Sequence, residues 1–71
     1  MQIIYINNYG KGFGGKKTIE AESLGELFAI EMPGEDSNQY QIKLNGQVGT
    51  RTDALKEGDR VTITPAKQEG G

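Results

Sequence analysis

The sequence predicts an α+β fold, a mixed sheet of four to five strands covered by one main helix. Three observations predict it. The first and last strand-like runs, residues 3–6 and 60–64, supply the apolar Ile3, Ile4, Tyr5, Ile6, Val61 and Ile63. They are too far apart for a hairpin, so they are expected to pair in parallel at the sheet centre. Between them, Ser23-Leu24-Gly25-Glu26 forms a capping box that opens a helix. Asn45-Gly46 is a strong hairpin signal, a type I′ turn.

Taken in order, Ile3-Ile4-Tyr5-Ile6 is β-branched and aromatic and reads as the first strand. Its unbroken apolarity leaves open whether Ile3 and Tyr5 or Ile4 and Ile6 face the helix. Asn7-Asn8-Tyr9-Gly10 breaks it, and residues 10–15 read as a long glycine-rich loop. Lys17-Thr18-Ile19-Glu20-Ala21 alternates polar and apolar and reads as the second strand. The capping box then starts a helix expected to run to about Met32, with Leu24, Leu27, Phe28 and Met32 on its inner face. Gly25 costs that helix about 1 kcal/mol against alanine, and is expected to let it approach the sheet. Pro33-Gly34 stops the helix before an acidic loop, Glu35-Asp36-Ser37-Asn38. Tyr40-Gln41-Ile42-Lys43-Leu44 is a third strand, and Gln47-Val48 a short fourth closed by Gly49. Residues 50–57 are irregular or a single turn, anchored by Leu55. Gly58-Asp59 turns into the last strand, with Val61 and Ile63 on one face and Thr62 and Thr64 on the other. Pro65 ends it, because proline cannot donate to a ladder. This order, with a central parallel pair, is a β-grasp, the ubiquitin-like roll. Residues 1–65 are the expected domain and 66–71 a flexible C-terminal tail.

Composition removes most catalytic chemistry. The 71 residues contain no cysteine and no histidine. No thiolate, imidazole base or structural zinc site can be built from them. Ser23 and Ser37 are explained by capping and looping. The chain therefore reads as something acted upon or bound, not as an enzyme. Its net charge is −2 with both signs mixed, which argues against a nucleic-acid partner. No apolar run approaches the ~18 residues of a membrane span. The first residues lack a basic leader segment, so a cytoplasmic location and a monomer are expected.

Two phosphate-binding patterns fail on context. Gly10-Lys11-Gly12-Phe13-Gly14-Gly15 satisfies G-x-G-x-x-G, and Gly10 to Lys17 comes close to a P-loop. Both motifs must open a helix, and here a strand follows. Phe13 is an aromatic among glycines. It is either a docking residue or folded back on the sheet. Tyr5, Lys43, Thr62 and Thr64 could form a partner surface on the sheet.

The tail is Ala66-Lys67-Gln68-Glu69-Gly70-Gly71. Without a Cβ, a diglycine lets both walls of an enzyme channel close on its backbone. An extended tail would carry its carboxylate roughly 20 Å from the domain. Leu55, Gly58, Asp59, Val61, Ile63, Pro65, Gly70 and Gly71, with the Asn45-Gly46 turn before them, resemble the C-terminal part of the MoaD/ThiS family. These are the sulfur carriers of molybdopterin and thiamin synthesis. The resemblance implies a ubiquitin-activating-type adenylating enzyme as partner, which uses ATP and Mg²⁺ to form an acyl-adenylate on Gly71. A sulfur donor would then give a thiocarboxylate for a synthase subunit. A cysteine would instead give a thioester and conjugation to a lysine of a target. Pro65, Ala66, Lys67, Gln68, Glu69 and Phe13 are the candidate contacts to that enzyme. The tail is charged and slightly longer than the usual carrier tail. A non-catalytic β-grasp adaptor, working through the Gly10–Gly15 segment or the sheet face, is the remaining alternative.

Overall fold

A computed structural model describes residues 1–66; Lys67, Gln68, Glu69, Gly70 and Gly71 lie outside the described residues. The strands are β1 (Gln2–Asn7), β2 (Phe13–Thr18), β3 (Tyr40–Leu44), β4 (Gln47–Val48) and β5 (Arg60–Pro65). One helix, α1 (Leu24–Glu31), follows β2, and a single 3₁₀ turn (Ser37–Gln39) precedes β3. The sheet order is β2-β1-β5-β3-β4. The central pair β1/β5 is parallel, while β1/β2, β3/β5 and β3/β4 are antiparallel. This is the five-stranded β-grasp that the apolar first and last strands predict.

The core lies between α1 and one face of the sheet. Leu24, Leu27 and Phe28 of the helix are buried, together with Ile3, Tyr5, Ile42, Val61 and Ile63 of the strands. Leu55 closes one end of it. At ~1.5–3 kcal/mol for each fully buried large apolar side chain, this cluster is the main source of stability. Ser23 caps α1 by accepting from the Glu26 amide at 3.2 Å. The Glu26 carboxylate reaches back to the Glu22 amide at 2.9 Å, one residue before the cap.

Five expectations are corrected. The glycine-rich segment is not a long loop. Gly10 (φ 65) and Gly12 (φ 76) are left-handed, the Gly12 amide donates to Tyr9 O at 3.0 Å, and the reversal is complete by residue 12. Phe13-Gly14-Gly15 is already strand, so β2 sits four residues earlier than its alternation suggests. Ile19 and Ala21 are buried but lie past β2, with Ile19 exchanging backbone hydrogen bonds with Met1. Tyr5 is 1% exposed and belongs to the core, not to an outer surface. Gly25 admits the loop after β4 rather than the sheet: a Cβ there would stand 3.1 Å from both Cβ and O of Arg51. Finally, the acidic loop ends in the 3₁₀ turn, whose cap Asp36 accepts from the Asn38 amide.

Candidate functional site

β5 ends at Pro65, and Ala66 is the last described residue; this end of β5 is the exit point toward residues 67–71. Because β1 runs parallel to β5 and β2 returns antiparallel, Asn7, Phe13 and Ile63 share one row at that end. The last ladder contact pairs Pro65 with Tyr40. Ala66 then donates its amide to Gln39 O at 2.9 Å. On the other side, the Asn8 amide donates to Ile63 O at 2.9 Å and Asn8 Nδ2 to Thr64 Oγ1 at 3.1 Å. The exit point is thus fixed from both neighbouring strands.

Aromatic rings flank this exit. Tyr9 meets Tyr40 edge-on at 5.3 Å, and Tyr40 packs on Phe28 at 5.6 Å. The Tyr40 hydroxyl donates to Glu35 Oε1 at 3.0 Å. Partial burial, then that hydrogen bond, push the hydroxyl well above its ordinary pKa. Tyr9 is 45% exposed. Neither tyrosine stands out in the sequence, because Tyr9 reads as part of a strand break and Tyr40 as an ordinary strand residue. Their pairing across 31 positions is created by the β1–β5–β3 order.

Phe13 lies at the same end, two strands from β5. Its ring folds against Tyr5 at 5.8 Å, as the second reading expects, and remains 46% exposed. Lys17 spans the two rings, its Nζ 5.3 Å from the Tyr5 centroid and 5.1 Å from that of Phe13. It is held there by an ion pair with Glu31 at 2.7 Å. Tyr5 Oη accepts from Asn7 Nδ2 at 2.7 Å, and burial raises the Tyr5 pKa.

Leu55, Gly58, Asp59, Val61, Ile63 and Asn45, of the residues that carry the family resemblance, build the scaffold beneath this exit. Val61 and Ile63 are fully buried and Leu55 nearly so. Gly58 adopts φ 87 and donates its amide to Gln2 O at 2.9 Å. Asp59 ties two turns together. Its Oδ2 accepts from the Lys56 amide at 2.9 Å, and its Oδ1 accepts from Asn45 Nδ2 at 3.1 Å. Asn45 Oδ1 in turn accepts from the Arg60 amide at 2.9 Å. The Gly-Asp and Asn-Gly motifs are therefore one structural unit that anchors the start of β5.

The sheet face away from α1 is open. Thr62 stands there between Ile6 and Lys43, and Val48 pairs with Lys43. Lys43, Thr62 and Thr64 thus share a surface with Ile4, Ile6 and Val48, whereas Tyr5 is on the opposite side. The five strands contain Lys16, Lys17, Lys43 and Arg60 and no carboxylate. The acidic residues Glu26 and Glu31 are on the helix. Among the described residues no cluster of His, Cys, Asp or Glu could hold a metal ion, and no helix is long and apolar enough to cross a membrane. Of the sequence-predicted contacts, Pro65 and Ala66 lie at the exit and Phe13 on the same end of the sheet. Lys67, Gln68, Glu69, Gly70 and Gly71 lie outside the described residues.

Neither a family model nor a curated protein sequence matches the chain significantly. Solved structures do. A ubiquitin-like protein from the hyperthermophilic archaeon Caldiarchaeum subterraneum superposes with a TM-score of 0.64 at 13% identity, over 97% of this chain and 100% of that one. A chain in the complex of subunits 1 and 2 of molybdopterin-converting factor from Helicobacter pylori 26695 superposes with a TM-score of 0.60 at 26% identity, over 99% and 100%. The first likeness establishes the fold. The second extends it to a protein that works in a complex with a partner subunit. The chain has the ubiquitin-like β-grasp fold and is similar to a chain of molybdopterin-converting factor.

Proposed function

We propose that this chain is a sulfur carrier whose C-terminal Gly71 is adenylated by a separate activating enzyme and converted to a thiocarboxylate. The observation that supports it is the joining of a terminal Gly70-Gly71 to a β-grasp domain that superposes on a molybdopterin-converting-factor chain. In the first step a Gly71 carboxylate oxygen attacks the α-phosphorus of ATP and pyrophosphate leaves. In the second, hydrosulfide delivered by a sulfur donor attacks the acyl carbon, AMP leaves, and loss of the S–H proton gives the thiocarboxylate. A carboxylate is a poor acyl donor, and the adenylate supplies the leaving group. ATP and Mg²⁺ are bound by the enzyme, and this chain contributes the acyl group and its docking surface. Pro65 and Ala66, fixed at the end of β5, set where the tail departs. Tyr9 and Phe13 offer exposed aromatic area beside that point.

A second reading, conjugation of Gly71 to lysines, is favoured by the charged residues Lys67 and Glu69 of the tail. ATP–pyrophosphate exchange with the activating enzyme tests what both readings share. Deleting Gly71 is expected to abolish exchange while the thermal melt stays unchanged. Exchange at the parental rate by the folded deletion variant would refute activation of this residue.

A further inference from the structure

The glycine pair in β2 has no part in the tail chemistry, and β2 is an edge strand. Met1 and Ile19 exchange both backbone hydrogen bonds, which sets the alternation of the β1/β2 ladder. Lys17, Gly15 and Phe13 therefore bond to Ile3, Tyr5 and Asn7. Gly14, Lys16 and Thr18 turn their N–H and C=O groups outward. The Ile4 amide donates to Asp59 O of the β5 turn, as this phase requires. Among the described residues nothing pairs with the outward groups. At the opposite edge β4 has only two residues, so β2 is the long free edge.

Glycine at position 14 has no internal cause. Its backbone is not left-handed and nothing lies within 4 Å of the place its Cβ would occupy. Gly15, with φ 150, does need glycine, and it too has open space around it. The edge is thus bare backbone between Phe13, 46% exposed, and the exposed Lys16. Among the described residues Lys17 is engaged by Glu31, which leaves Lys16 as the free charge of the edge. β2 holds no carboxylate.

We propose that the β2 edge accepts an extended acidic segment of another protein as an added strand, paired to Gly14, Lys16 and Thr18. Strand addition draws affinity from main-chain bonds and selectivity from alternate side chains. A second copy paired in the register centred on Lys16 is a poor occupant, because it would bring lysine against lysine, and like charges opposed across strands repel. Carboxylates at alternate positions of the incoming strand meet Lys16 instead. This site is independent of Gly71 and of its activation.

The test is titration of the full ¹⁵N-labelled chain with a short synthetic peptide in which valine alternates with aspartate and glutamate. Shift changes and slowed amide exchange are expected at Gly14, Lys16 and Thr18. A matching valine–lysine peptide should leave them unmoved. Lys16→Pro removes one outward donor without touching the β1 ladder, and should weaken binding about tenfold. Should that variant fail to fold, Lys16→Glu carries the test, with a loss of about fivefold expected from charge reversal. Lys43→Ala, on the open sheet face, should bind as the parent does. The proposal is overturned by no shifts at the solubility limit of the peptide, by equal binding of the lysine peptide, or by shifts centred on Thr62. It is overturned equally by unchanged affinity in the folded Lys16 variant, or by concentration-dependent shifts along β2 without peptide, which would identify a second copy as the occupant.

Discussion

Replacing Asp59 with alanine removes two hydrogen-bond acceptors at once. Oδ2 holds the Lys56 amide and so closes the turn before β5, and Oδ1 holds Asn45 and so fastens the β3–β4 hairpin to that turn. A hydrogen bond to a charged group contributes about 1.5–3 kcal/mol when sheltered, and less where water can replace it. Asp59 is only partly buried and its partners are exposed, so about 1 kcal/mol for each bond is the appropriate scale. Asp59→Ala should therefore cost about 2 kcal/mol. For a domain of this size that corresponds to a fall in Tm of about 8–16 °C. Asp59→Asn keeps one acceptor oxygen and should cost about half as much. The assay is urea and thermal unfolding followed by far-ultraviolet circular dichroism, with an unchanged m-value as the check on two-state behaviour. Combination with Asn45→Ala should be less than additive, because the two residues share a bond. A loss below about 0.5 kcal/mol, the size of an ordinary surface substitution, would refute the assignment of Asp59 as the tie between the turns.

Two further outcomes follow from packing and charge. Gly49→Ala places a Cβ 2.6 Å from Cδ1 of Leu24, which is fully buried and has no room to yield; overpacking should cost about 1–3 kcal/mol in the same melts. The raised Tyr40 pKa makes the folded chain hold a proton that the unfolded chain releases near the ordinary tyrosine value of 10.0, so this contribution to stability is present below that pH and lost as pH rises above it. Tyr40→Phe should flatten the alkaline decline in Tm, and an identical decline in both proteins would remove Tyr40 as its cause.

The sequence makes legible those elements whose cause is local. The Ser23–Glu26 cap, the Asn45-Gly46 turn and the alternation of Val61 and Ile63 each act within a few residues, and each is present in the fold. The parallel β1/β5 pair follows from apolarity and separation alone. β2 is misplaced because glycine is depleted in strands, yet an edge strand demands little packing. Phe13 and Lys17 supply what inward contacts it needs. The burial of Tyr5 cannot be read because every residue from 3 to 6 is apolar, so no polar position marks the outer face. Asn7, two residues away, satisfies the Tyr5 hydroxyl and so makes its burial tolerable. The link between Asp59 and Asn45 and the Tyr9–Tyr40 pair are properties of the sheet order, which no local pattern encodes.

The intact mass of the full chain recovered from its native host, with the C-terminal peptide sequenced, tests activation of Gly71 most directly. Exchange of one carboxylate oxygen for sulfur on Gly71 is the predicted result. An untouched carboxylate, with the activating enzyme shown to be present, would contradict it.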